Sequence, residues 1–501
     1  MAMIWLVLSL IVLLYFLQQL LGPRSKKRLP PGPKGLPILG HLHLLGKNPH
    51  RDLHRLARKH GPIMGLRFGF VPALVVSSPA AAELVLKTHD LAFASRPANE
   101  AAACILYDKR DLAFGPYGPY WRQMRKLFTL KLLSNVKISH FQPMRRAELG
   151  LFVTSLKRAA ETREAVDLSA RITALNCDIN FLMVFGKRYS TMEDKGFEEA
   201  IKEAMVILGK FNLADYFPYI GVLNLQGLHG KMKRVSKIID GILEKIIDEH
   251  VKRNKKQTDG DIVDTLMEIM ESGEAGFDFD RRHVKAILLD MVVAGMDTSS
   301  TALEWAMSEL MKHPAVMKKL QEELESVVGL DQMVEESHLG KLKYLDCVVK
   351  EALRLHPVGP FLIPHESMED CEVGGFHVPK KARVMVNVWA IGRDPDVWPD
   401  PDSFTPERFV GSEIDLRGHH FELIPFSAGR RGCPGIQLGL TVVKLVLAQL
   451  VHCFDWELPD GMKESDVDMT EKFGFLLYSS FGLLLMGNGS RMIRSLNCQE
   501  L

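Results

Sequence analysis

Pro425-Phe426-Ser427-Ala428-Gly429-Arg430-Arg431-Gly432-Cys433-Pro434-Gly435 is the stretch on which the reading of this chain turns. Three glycines surround one cysteine, and an apolar helical pattern over Leu438–Phe454 follows directly. Glycine permits tight turns and the close approach of a flat partner. Pro434 suits a first helical position, which sets Cys433 at a helix N-terminus. There the helix dipole and free N–H groups favour a thiolate, and Arg430 and Arg431 add positive charge. A lone loop cysteine is ordinarily a small buried hydrophobe. Framed this way, Cys433 reads as a ligand or a nucleophile.

The rest of the chain bounds what such a cysteine serves. Its 501 residues, 47% hydrophobic and 25% charged, describe a globular protein and exclude a disordered or fibrous one. A net charge of +2 argues against nucleic acid as a partner. Seven cysteines without a C-x-x-C pair point to a reducing compartment rather than a disulfide scaffold. There is no GxGxxG and no Gly-Lys-Ser/Thr loop, so neither a nicotinamide site nor a phosphate cradle is visible. Helical periodicity recurs at Met144–Ala159, Lys231–Lys255, Val284–Lys312 and Lys341–His356. Strand-like stretches are Ile63–Val76, bent at Gly69, and Phe376–Asn387 around Pro379. The fold class is therefore mainly α with a minor β region. His41 and His43, like His419 and His420, lack partners at zinc spacing and read as solvated.

Met1–Leu21 is uncharged, mostly apolar and just long enough to span a bilayer. Arg24, Lys26, Lys27 and Arg28 follow it, the reverse of a cleaved signal, and predict that the remainder stays cytosolic. Residues 1–22 thus read as a single N-terminal transmembrane helix. Residues 23–40, with four prolines between Pro30 and Pro37, read as a stiff basic hinge. Residues 41–501 read as one large, compact, mainly helical body.

Phe426-x-x-Gly429-x-Arg431-x-Cys433-x-Gly435 resembles the haem-binding signature of the cytochrome P450 family position for position. The resemblance implies the P450 fold and Cys433 as axial thiolate to a b-type haem (heme b) iron, a donor that favours O–O cleavage. It implies further that Arg431 pairs with a propionate, that Phe426 packs beneath the ring, and that Gly435 belongs to the cofactor-binding loop. Trp121 and Arg125, in Trp121-Arg122-Gln123-Met124-Arg125, match a family element suited to a propionate; His365 and Arg96 are further donors by the same resemblance.

Glu351 and Arg354 lie three apart on a helix, and periodicity alone makes them a surface ion pair of small value. The resemblance instead joins them to Arg408, in Pro406-Glu407-Arg408-Phe409, as a buried structural triad. Asp290, Asp297 and Glu304, spaced by seven, read on their own as a solvated stripe. The resemblance places Ala294-Gly295-Met296-Asp297-Thr298 across the distal face of the haem. Thr298 then donates a hydrogen bond toward dioxygen, Asp297 feeds it protons, and Gly295 leaves room for oxygen and substrate.

The closest style is that of plant microsomal members. It implies the endoplasmic reticulum membrane and membrane-lipid contact, electrons from NADPH through NADPH-cytochrome P450 reductase, and hydroxylation of a small lipophilic substrate, terpenoid or phenolic. Two rivals stay open: a haem-thiolate isomerase or lyase, against which Asp297 and Thr298 argue, and an inactive membrane haem protein with an altered tail. After Gly474 such relatives carry a hairpin with a Pro-Arg pair, and residues 475–501 show no match to it. Phe475–Met486 is therefore expected to leave an exposed apolar patch and an open pocket.

Overall fold

The structure, a computed structural model, describes residues 27–191, 195–221, 223–252, 260–459, 461–474, 476–479 and 483–490. The expected anchor at 1–22 and the first hinge residues lie outside these. The helices that matter for the site are α1 (Pro119–Leu127), α2 (Gln142–Glu161), α3 (Leu168–Phe185), α4 (Lys195–Gly209), α5 (Leu228–Lys252), α6 (Arg281–Lys312), α7 (Lys343–Leu355) and α8 (Ile436–Cys453). α2, α5, α6, α7 and α8 agree with the sequence periodicity to within a few residues at each end, whereas α1, α3 and α4 are not among the periodic stretches. α6 starts on Asp280, whose carboxylate accepts the backbone N–H groups of Arg282 and His283, satisfying donors that a helix start leaves free.

α6 is the axis of the molecule. Its first half, from Val284 to Met296, packs in a core with Trp121, Phe181 and Ile247. Its second half, from Ala302 to Met311, packs in another core with Leu149, Leu345 and Val446. Between the two cores, Ala294 is exposed and Val293, Gly295, Asp297, Thr298 and Ser299 are half-buried. α3, α6 and α8 are each long and apolar enough to cross a membrane, yet most of each is buried inside this domain.

The strands are β1 (Ile63–Phe68), β2 (Val71–Val76), β3 (Ala165–Asp167), β4 (His365–Glu366), β5 (Cys371–Val373), β6 (Phe376–Val378), β7 (Arg383–Val386), β8 (Phe454–Glu457), β9 (Glu471–Phe473), β10 (Leu477–Ser479) and β11 (Leu484–Ser490). The main sheet runs β1-β2-β7-β4, with β1 and β2 a hairpin turned at Gly69 and β2 parallel to β7. His41, expected in solvent, is buried: its Nδ1 accepts the Arg67 N–H at 2.8 Å and its Nε2 meets Pro33 O at 2.8 Å. The Gly65 N–H also donates to Pro31 O, so the proline-rich segment lies on β1.

The described residues of the tail overturn the expectation of an unpacked segment. β10 pairs antiparallel with β9, and β11 lies between β3 and β8. Leu476, Leu477, Leu483 and Leu485 are all buried. The apolar run was read as a block, whereas Leu483 and Leu485 alternate with the period of a strand. Glu471 fixes the base of this hairpin: it accepts from His50, Arg51 and Trp389, and those partners hold its carboxyl well below the usual range.

Candidate functional site

Cys433 stands just before α8, in a loop closed by its own N–H on Phe426 O at 2.9 Å. The helix begins at Ile436 with Gly435 as its cap, so Cys433 lies two residues outside it, further out than Pro434 had suggested. Its thiol is accessible yet enclosed by protein, which puts it on the wall of an internal cavity. Burial pushes the thiol up, while the Gly435 N–H and the Arg125 guanidinium pull it down. The charge that acts on the thiol is that of Arg125 rather than that of Arg430 or Arg431. Arg430 turns outward to Asp90 at 3.0 Å, and Arg431 turns away to backbone carbonyls. Gly429 approaches backbone rather than a flat partner: it sits at φ +68°, and a Cβ there would lie 2.3 Å from Leu86 O.

Three cations gather beside this loop. Arg431 is buried and donates to Ala94 O, Leu112 O and Gly115 O, with its guanidinium 4.0 Å from the Trp121 ring centre. Arg96 is buried and donates to Ala113 O, Ile363 O and Pro364 O. Arg125 donates to Gly432 O at 2.7 Å. Burial pulls Arg431 down to about 10 and Arg96 well below its usual value, the mark of positive charge held in protein with too little counter-charge. His365 lies nearby, with Nδ1 donating to Phe93 O at 2.8 Å and a buried Nε2 that has no partner. Burial, then Arg96, keeps its ring neutral; an anion at Nε2 would reverse that. A flat group bearing carboxylates and a metal fits this donor set: a sulfur ligand, buried cations and an orphaned imidazole nitrogen. Trp121, expected to face a propionate, spends its Nε1–H on Leu112 O at 2.9 Å.

Opposite the loop runs the middle of α6. A Cβ on Gly439 of α8 would lie 4.0 Å from both Phe426 Cε1 and Ser299 Oγ, so the two segments meet. Thr298 Oγ1 donates to Ala294 O at 2.7 Å, a back-bond that bends the hydroxyl onto its own helix. Asp297 is partly buried, and burial raises its carboxyl while Tyr478 and Lys202 lower it. The solvated stripe does not exist. Asp290 accepts the Leu112 N–H at 2.6 Å, and Glu304 accepts from Ser169 at 2.8 Å with its carboxyl pushed up to about 7 by burial. Sequence reading missed this task of Asp290. It pins the Leu112 backbone, whose carbonyl holds Arg431 and Trp121.

Gly295 departs from expectation as well. A Cβ there would lie 1.9 Å from Asn180 Nδ2, which donates to Met291 O, so the glycine admits α3 rather than oxygen. Gly295→Ala is expected to cost about 1–3 kcal/mol through overpacking. The thermal midpoint checks this; an unchanged midpoint would mean that Asn180 yields freely.

Away from the cavity, Glu351 and Arg354 are fully buried on α7. Arg354 donates from Nε and Nη2 to Glu351 at 2.7 and 2.8 Å, and Arg408 Nε reaches Glu351 Oε1 at 2.9 Å. The surface pair that periodicity alone suggested is not what forms.

A cytochrome P450 family model matches residues 30–485, into β11. The chain is 50% identical to cytochrome P450 CYP736A12 of Panax ginseng over 455 residues, covering 89% of this chain and 90% of that one. It is 45% identical to the 4-hydroxyphenylacetaldehyde oxime monooxygenase of Sorghum bicolor, covering 89% and 85%. A zebra fish cytochrome P450 structure with progesterone superposes with a TM-score of 0.75 at 28% identity, over 88% of this chain and 99% of that one. With a cysteine loop on a cavity wall, a matched family over nearly the whole domain and plant relatives at such identity, the chain belongs to the cytochrome P450 monooxygenases, oxidoreductases of the plant A-type.

Proposed function

We propose that this protein is a membrane-anchored haem-thiolate monooxygenase that hydroxylates a small lipophilic plant metabolite, phenolic or terpenoid. The observation that carries the reading is the Cys433 thiol, accessible yet enclosed, in a loop that meets the middle of α6 where Phe426 and Ser299 both approach Gly439. Bound haem would supply the one-electron chemistry that activates dioxygen. Cys433 would hold it, with Phe426 and Gly435 in the supporting loop. Arg431, Arg125, Arg96 and His365 would take its carboxylates, and Trp121 would back Arg431.

Asp297 would hold and pass a proton, being an acid whose burial favours the protonated form. Thr298 would take part only after its hydroxyl leaves Ala294 O. Electrons would come from NADPH through NADPH-cytochrome P450 reductase at the endoplasmic reticulum membrane, with the domain on the cytosolic side. The relative named for an oxime of a phenolic aldehyde supports a small aromatic substrate.

Reconstitution of the full chain with reductase and lipid, against a panel of phenolics, terpenoids and oximes, tests the reading. NADPH and dioxygen should be consumed with one hydroxylated product; rearranged product without NADPH would make it an isomerase or lyase. Thr298→Ala is expected to keep the haem spectrum while lowering product per NADPH by about tenfold and releasing hydrogen peroxide. Unchanged coupling would remove Thr298 from proton delivery.

A further inference from the structure

The segment after Gly474 docks along α6 at two points. Leu477 is fully buried, its N–H donates to Val358 O at 2.8 Å, and its C=O accepts Trp305 Nε1–H at 3.0 Å. Trp305 lies eight residues beyond Asp297, about two helical turns along the same face. Side chains alternate along a strand, so burial of Leu477 turns Tyr478 the other way. The Tyr478 hydroxyl donates to Asp297 Oδ2 at 3.4 Å, and β9 holds the strand by pairing Tyr478 with Lys472.

From this frame we infer that Tyr478 is a positioning residue for Asp297: its hydroxyl orients the acid and ties it to the C-terminal hairpin. The inference rests on the reading of Asp297 as the proton donor. Burial and the Asp297 carboxylate both favour the neutral phenol, so Tyr478 stays a donor. Lys202 of α4 acts on the same carboxyl, which makes Asp297 the meeting point of α4, α6 and the hairpin. At 3.4 Å the bond is long for an O–H donor, so its effect belongs at the modest end. Tyr478→Phe keeps the ring that packs beside Gly474 and removes only the hydroxyl.

Amide hydrogen exchange over 476–479 in the full chain reads the contact directly. Tyr478→Phe and Asp297→Leu are each expected to speed exchange by about threefold, and the double variant no more than either alone, as for one shared hydrogen bond. Multiplying effects would overturn the inference. In the reconstituted enzyme, Tyr478→Phe should raise hydrogen peroxide per NADPH by roughly threefold while changing KM less than about twofold. If Asp297→Asn leaves coupling untouched, the proton-donor reading of Asp297 falls, and this inference with it. If Asp297→Asn uncouples while Tyr478→Phe matches wild type in exchange and peroxide, only the role of Tyr478 falls.

Discussion

Cys433→Ser is expected to fold as the parent does but to lose the thiolate-type absorption shift of the reduced carbon monoxide complex, and with it all reductase-supported turnover. The change removes one polarizable sulfur and puts in a hydroxyl, a poor ligand for iron beside a thiolate. The loop itself should survive, because it is closed by backbone: the Cys433 N–H on Phe426 O and the Gly432 N–H on Gly429 O. Apoprotein stability should stay within about 0.5 kcal/mol, as for a substitution that makes no cavity and breaks no network. Burial raises the free thiol, so the thiolate is a state that a metal would impose rather than one the loop maintains alone. A normal carbon monoxide spectrum in the variant would assign the ligand elsewhere and remove the central residue of the proposed site.

Glu351→Gln is expected to have the largest effect on folding, with no group in the cavity altered. Glu351 Oε1 accepts three bonds, from Arg354 Nη2 at 2.8 Å, Thr405 N at 2.7 Å and Arg408 Nε at 2.9 Å. Neutralising it leaves Arg354, fully buried, and Arg408 without a counter-charge. Breaking a buried pair from one side costs about 3–5 kcal/mol, a large share of the 5–15 kcal/mol by which domains are ordinarily stable. Little soluble protein should result at 37 °C, a temperature chosen because stability there is already reduced by roughly a few kcal/mol. The exposed pair Lys131–Glu274, at 2.9 Å, is the contrast: Glu274→Gln should cost about 0–1 kcal/mol. Urea unfolding of the two variants checks the difference, and equal losses would show that the triad is no more than a surface pair.

The cysteine loop, helices α2 and α5 to α8 and the main strands, though not α3, were legible from residues alone. Local signals specify them: glycine and proline around Cys433, helical periodicity along α5 to α8, turn residues at Gly69. The surroundings of each polar group were not legible, because the partners come from distant chain. Spacing made Asp290, Asp297 and Glu304 one solvated stripe, whereas each meets a separate segment, at Leu112, Tyr478 and Ser169. Arg430 and Arg431 are sequence neighbours with opposite fates, one exposed and paired with half-buried Asp90, the other buried on backbone carbonyls. Gly295 matched a motif about oxygen, but the atom that forbids a side chain there belongs to Asn180 on another helix.

The amino-acid sequence by itself determined the cysteine loop, the helical class and the family, since those are written in short-range pattern. Only the tertiary structure decided which charges are buried, which donors are spent on carbonyls, and that the divergent tail still closes on α6. Burial and pairing are properties of the folded chain: a carboxylate or guanidinium takes its energy from what surrounds it, and no local pattern lists those neighbours.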